Sequence, residues 1–138
     1  MKYAILTIIG MVLGCAVSFA QQEKTITVDN MPPSVVKTVP QGGDTRVDPF
    51  LKEIRVTFSK DMMTDRMWSW AMNAKETFPK FEADKIHYLS DKRTCVLPVK
   101  LEPNRTYVIW INSHKFDAFR DRGNRPAAPY LLVFETSP

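Results

Sequence analysis

Four stretches of this chain alternate apolar and polar residues with a period of two, and that pattern restricts the fold more than any other feature. In Glu53-Ile54-Arg55-Val56-Thr57-Phe58, an extended backbone throws Ile54, Val56 and Phe58 to one side and Glu53, Arg55 and Thr57 to the other. The same spacing recurs in Cys95, Leu97, Val99 and Leu101, in Tyr107, Ile109 and Ile111, and in Tyr130, Leu132 and Phe134. A further β-prone stretch, Ser34 to Val39, stops at the turn composition Pro40-Gln41-Gly42-Gly43-Asp44. Turn residues also mark Glu102-Pro103-Asn104-Arg105 and Asp121-Arg122-Gly123-Asn124, the latter followed by Pro126, with Gly123 expected to take positive φ. No long helical period and no internal repeat is present. Short strands at such spacing give an all-β chain, a sandwich or barrel of about seven strands. The expected inward set is Ile54, Val56, Phe58, Leu97, Val99, Leu101, Tyr107, Ile109, Leu132 and Phe134.

Between the early and late strands, Asp61 to Lys92 forms a Trp- and Met-rich insertion with no clean period. One strand is expected near Met67 to Met72 and another near Lys85 to Leu89, with a short helix or loop between them. The domain is placed at residues 32–138, because Pro32-Pro33 cannot sit inside a paired strand but can precede one. Residues 21–31, with the run Thr25-Ile26-Thr27-Val28, are read as a tether or an edge strand.

The beginning of the chain reads as a secretory signal over residues 1–20: Lys2, an apolar run from Tyr3 to Leu13, then small residues ending Ser18-Phe19-Ala20. That run is roughly half of the 20 residues a spanning helix needs, and no later segment is continuously apolar, so no transmembrane segment is expected. Cleavage after Ala20 is the favoured reading, and lipoprotein processing at Cys15 the alternative. Only the alternative would hold the protein at a membrane surface, as an envelope lipoprotein. Otherwise the product is periplasmic or extracellular. Removing the signal leaves Cys95 alone, so no intrachain disulfide is expected. The net charge of +4 is modest and its carriers are scattered, which argues against a nucleic-acid partner.

The phrase Pro33-Ser34-Val35-Val36-Lys37-Thr38-Val39-Pro40-Gln41-Gly42-Gly43, followed by Ile54-Arg55-Val56-Thr57-Phe58-Ser59-Lys60-Asp61-Met62, resembles the Ig-like modules repeated in bacterial surface-layer and other extracellular proteins. In that family a Leu-x-Pro-x-x-x-Tyr step, an Asp-x-x-Gly-Asn turn and a closing Phe-x-Thr follow in order. Here they are Leu101 to Tyr107, Asp121 to Asn124 with a turn one residue shorter, and Phe134-Glu135-Thr136. The resemblance spans Pro32 to Thr136 and implies an Ig-like antiparallel β-sandwich. It brings no catalytic residues and no cofactor, and fold alone does not fix function.

Enzymatic chemistry finds little support in the residues. His87 and His114 have no Cys, His or carboxylate at a metal-ligand spacing, and no nucleophile elbow surrounds a serine. Cys95 shares parity with core residues and reads as a small buried hydrophobe. Asp117, Asp121 and Asn124 fail as a calcium loop, because Phe119 and Arg122 fall where a ligand and a glycine belong. No catalytic, metal or cofactor site is therefore assigned.

Aromatic residues are the informative excess. Trp68 and Trp70 lie two apart, so a strand there projects both from one face, to stack on sugar rings or to fill a core. The core parity of Tyr107, Ile109 and Ile111 throws Val108 and Trp110 outward, and that of the last strand throws Leu131 and Val133 outward. Two apolar faces on neighbouring antiparallel strands imply a cover, either the Asp61 to Lys92 insertion, which is favoured, or a partner. Trp110, Val108, Leu131, Val133, Trp68 and Trp70 are thus the candidate interaction surface. The leading functional expectation is an exported non-enzymatic module for protein–protein contact or envelope scaffolding, its partner an envelope or extracellular protein. A glycan-binding module using the tryptophans is the alternative, and a hydrolase with a spatially assembled site ranks last.

Overall fold

The computed structural model describes residues 23–138 together with Gly14, Ala16 and Ala20, so the leader reading, with Lys2 and Cys15, falls outside the described residues. The strands are β1 (Val35–Val39), β2 (Glu53–Phe58), β3 (Trp70–Met72), β4 (Lys80–Phe81), β5 (His87–Tyr88), β6 (Thr94–Lys100), β7 (Thr106–Ile111) and β8 (Tyr130–Glu135). Two 3-10 turns, Lys75–Thr77 and Ala83–Lys85, link the short strands. Among the described residues no helix is long and apolar enough to cross a membrane.

One sheet runs β1-β2-β6 and ends with β4 and β5, which both pair with the far edge of β6. The other runs β3-β7-β8. Every strand pairing is antiparallel. With β4 and β5 counted as one interrupted strand, four positions face three, the strand order of an Ig-like sandwich of constant type. The interruption has a cause in the sequence. Val99 N–H donates to Lys52 O on the β2 side, so the polar groups of Pro98 point to the opposite edge. Pro98 has no N–H to offer there, and only its carbonyl is used, accepting from Glu82 N at 3.2 Å. The edge strand therefore breaks at Pro98, into β5 beside Cys95 and Val96 and β4 beside Val99 and Lys100.

The alternating residues fill the space between the sheets. Ile54, Val56, Leu97, Ile109, Ile111 and Leu132 are fully buried, Phe58 and Phe134 are 1% exposed, and Leu101 and Tyr107 are buried as well. Val99 is only partly buried, packing against the rim of that core. Phe119, from the β7–β8 connection, is also fully buried, its ring centre 5.0 Å from Phe58 and 5.4 Å from Trp70. Asn112 holds it there: Nδ2 donates to Phe119 O and Ala127 O at 2.9 and 3.0 Å, and Oδ1 accepts from Phe119 N at 2.9 Å. This side chain is itself completely buried, which is tolerable because its donors and acceptor are satisfied.

The motif residues pin the two ends of the sandwich. At one end Tyr107 Oη accepts from Glu102 N at 2.8 Å, a tyrosine corner. Thr136 Oγ1 there donates to Glu102 O at 2.6 Å and accepts from Arg105 N at 3.0 Å. At the other end Lys60 Nζ forms an ion pair with Asp121 Oδ2 at 2.8 Å. Lys60 also donates to the carbonyls of Asp29 and Met31, and Arg125 Nη1 donates to Asp29 O, which ties residues 29–31 to the domain.

Three expectations are corrected. Positive φ in the Asp121 turn falls on Asn124 (φ 64) and not on Gly123. Gly123 is small for a different reason, since a Cβ there would lie 2.8 Å from Arg125 Nη2 and 3.3 Å from Asp121 Oδ1. The strand expected from Met67 starts at Trp70, so Trp68 is not in strand geometry. Finally, the insertion does not fold across an outer face. It supplies β3 to one sheet and β4 and β5 to the other, while its apolar residues Met62, Phe78, Ile86 and Tyr88 pack on the core and its rim.

Candidate functional site

The outer face of the β3-β7-β8 sheet is built by register. Ala71 pairs with Trp110 and Trp110 with Leu131, forming one row across three strands, and Val108 pairs with Val133 in a second row two residues away. These side chains share the face because residues opposite one another in antiparallel strands point the same way. Ala71 is 7% exposed, Val108, Trp110 and Val133 are half-buried, and Leu131 is 40% exposed. None of them belongs to the inner core. The result is an apolar strip of five side chains flanked by Thr106 and Glu135 on the same face, both exposed.

The two remaining tryptophans separate from that strip and from each other. Trp70 pairs with Ile111 and shares its inward direction, meeting Phe119 edge to face at 5.4 Å. Its indole N–H is buried beside the Cys95 sulfur without a well-formed hydrogen bond. Trp70 is a core residue. Trp68, just before β3, lies 6.5 Å from Tyr88 of β5, bridging the open side between the two sheets. Tyr88 is anchored by its hydroxyl, which donates to Met67 O at 3.0 Å, and burial pushes its pKa well above the usual phenol value.

Outside this Trp68–Tyr88 pair the surface opens into a groove of about 870 Å³. Asp65 and Arg66 line it from before β3, Asp84 and His87 from around β5, and Ser90 and Lys92 from the β5–β6 turn. His87 Nδ1 lies 2.9 Å from Lys85 O, so the ring nitrogen must donate there, leaving Nε2 toward solvent. Asp65, Arg66 and Asp84 carry no signal in the sequence, because isolated charges in a stretch without period read as solvated surface. Only the neighbouring Trp68 drew attention.

Other candidates for chemistry are occupied. Cys95 is fully buried, and burial pushes its thiol up to about 12, far from thiolate reactivity. Asp117 Oδ2 is bound to Arg120 Nη2 at 2.7 Å. Asp121 sits among Lys60 and Arg125. Burial alone would raise its pKa, but Lys60 and the Arg125 N–H hold it below the usual carboxylate value. Among the described residues no group of three His, Cys, Asp or Glu side chains is arranged to hold a metal ion.

A search of the curated proteins finds no match. Among solved structures, the S-layer protein SbsC, in a structure of its residues 31–844, is similar at 14% identity and a TM-score of 0.49. The similarity covers 78% of this chain and 14% of that one, so the chain spans a small part of the S-layer protein. The family model described as "Bacterial Ig-like domain" matches residues 29–136, from the Asp29 carbonyl that Lys60 grips to the Thr136 hydroxyl that closes the tyrosine corner. The chain belongs to the bacterial Ig-like domain family.

Proposed function

We propose that this chain is an exported, non-enzymatic Ig-like module that makes protein–protein contacts in the cell envelope or outside the cell. The observation that carries the reading is the strip Ala71, Trp110, Leu131, Val108 and Val133, which puts an aromatic residue at the centre of an accessible apolar face. Contact surfaces of this kind are anchored by Trp and Tyr with aliphatic neighbours, and monomers rarely keep such a strip without use. Export rests on the apolar leader and its small residues before Gln21. The supporting argument against catalysis is that Cys95 is buried and that Asp117 and Asp121 are held by Arg120, Lys60 and Arg125.

The test is capture from envelope fractions with the intact protein as bait, comparing it with Trp110→Ala and Leu131→Ser. A partner or second copy retained by the parent and lost by both variants supports the reading. Equal retention by all three rejects this face. Intact-mass measurement of the exported product addresses its leader: a mass beginning at Gln21 is expected, and a chain beginning at an acylated Cys15 would replace it with a lipid-anchored form.

A further inference from the structure

We propose that the groove beside Trp68 is a second binding site, distinct from the contact strip, and that its ligand is a pyranose oligosaccharide. The groove volume of about 870 Å³ falls in the range of small-molecule sites, roughly 300–1,000 Å³. Trp68 is half-buried and braced by Tyr88, so one side of the indole is fixed while the ring remains accessible from the groove. Around it, among the described residues, the side chains of Thr64, Asp65, Arg66, Asp84, Ser90 and Lys92 make no hydrogen bond or ion pair to the rest of the chain. The contrast is with the hollow at the other charged cluster, where Lys60, Asp61, Arg93, Asp121 and Arg125 are all engaged with one another.

The backbone supports a built site. Among the described residues five non-glycine residues have positive φ, and three of these are asparagines, which tolerate it. The other two, Arg66 at φ 54 and Lys92 at φ 59, both line this groove. Each holds a long cationic side chain where a turn would favour glycine or asparagine, and such outliers gather at ligand sites.

The chemistry selects the ligand class. Charges of both signs, Asp65 and Asp84 with Arg66 and Lys92, line the groove around one aromatic wall, so no single field attracts an anionic polymer. Strand addition by a peptide is disfavoured too, because β5 offers only two residues as an edge. A pyranose with equatorial hydroxyls presents a C–H face to an indole, and its hydroxyls both donate and accept. Asp65 and Asp84 would accept from them, and Arg66 and Lys92 would donate to them.

The experiment titrates the intact protein with soluble β-1,4-linked oligomers of glucose and of N-acetylglucosamine, read by tryptophan fluorescence and calorimetry. Saturable binding is expected with at least one of the two. Trp68→Ala should weaken it roughly tenfold, the loss expected for a stacking contact. Because Trp68 also packs against the core, the double variant Asp65→Ala/Asp84→Ala serves beside it: neither carboxylate makes a hydrogen bond or ion pair to lose, so its melting should stay close to the parent while binding falls. Trp110→Ala should bind sugar like the parent, which separates this site from the contact strip. Absence of saturable binding to both oligomers, or undiminished binding by the double variant, would overturn the proposal.

Discussion

Phe58 is among the largest fully buried side chains, at the end of β2, 1% exposed and in tilted contact with Phe119. Phe58→Ala should cost about 3–5 kcal/mol, because an aromatic deletion leaves a cavity that two hydrogen-bonded sheets cannot close. Against a domain stability of roughly 5–15 kcal/mol this is a large fraction, visible as a much lower denaturant midpoint. Asp121 tests the charged counterpart. Its side chain is 1% exposed and that of Lys60 11%, so Asp121→Asn removes the counter-charge of a buried cation and leaves it only the Asp29 and Met31 carbonyls, at a cost of up to about 3 kcal/mol. The pH dependence follows from the sign of the shift. The folded carboxyl titrates below its ordinary value of 3.8, so its contribution is complete at neutral pH and fades as pH falls through and below that value. Melting temperatures recorded from pH 7 down to pH 2.5 should show the parent losing its advantage over Asp121→Asn only at the acid end. A constant gap across the series would mean the ion pair does not carry the difference.

At the scale of elements, the turn between β6 and β7 offers a cleaner measurement. Tyr107→Phe keeps the ring stacked near Phe134, 5.4 Å away, and removes only the oxygen that accepts Glu102 N. The expected loss is about 1–3 kcal/mol, the cost of a partly buried N–H left without an acceptor, measured by urea unfolding. This corner was legible in the sequence, since the Leu101 to Tyr107 step is an ordered motif. The long strands were legible because their parity is strict and one face of each is core. Of the short elements, β3 and β5 fall inside the stretches expected as strands, Met67 to Met72 and Lys85 to Leu89, but their bounds were not legible and β4 was not expected at all. β3, β4 and β5 hold two or three residues each, too few to display a period, and their positions are set by edges already formed on β6 and β7. Val96 escaped for a related reason: its parity is outward, yet it is fully buried in the row between Arg55 and His87. Phe119 and Asn112 were missed because a loop that folds back into the core obeys hydrogen bonding to its own backbone and no repeat. The groove residues share that origin, whereas the common parity of Val108, Trp110, Leu131 and Val133 follows from the unbroken register of β7 and β8.

For the whole molecule, the question is whether the β3-β7-β8 outer face contributes to folding or to assembly, and Trp110→Ala separates the two. A tryptophan enclosed on all sides would cost about as much to remove as Phe58. Trp110 is half-buried, outside the inner core, and beside a Leu131 that is 40% exposed, so deleting its ring opens a surface depression to water and no closed cavity. Melting of Trp110→Ala should therefore fall far less than that of Phe58→Ala, because only the partial contact with Ala71, Val108 and Leu131 is lost. If the strip is a contact surface, the same variant should lose self-association in sedimentation or retention of an envelope partner, since an aromatic anchor at the centre of an interface carries a disproportionate share of its energy. A melting loss as large as that of Phe58→Ala, with assembly unchanged, would place Trp110 among the folding residues. No change in either would make it an ordinary exposed side chain and remove the strip from the function of the protein.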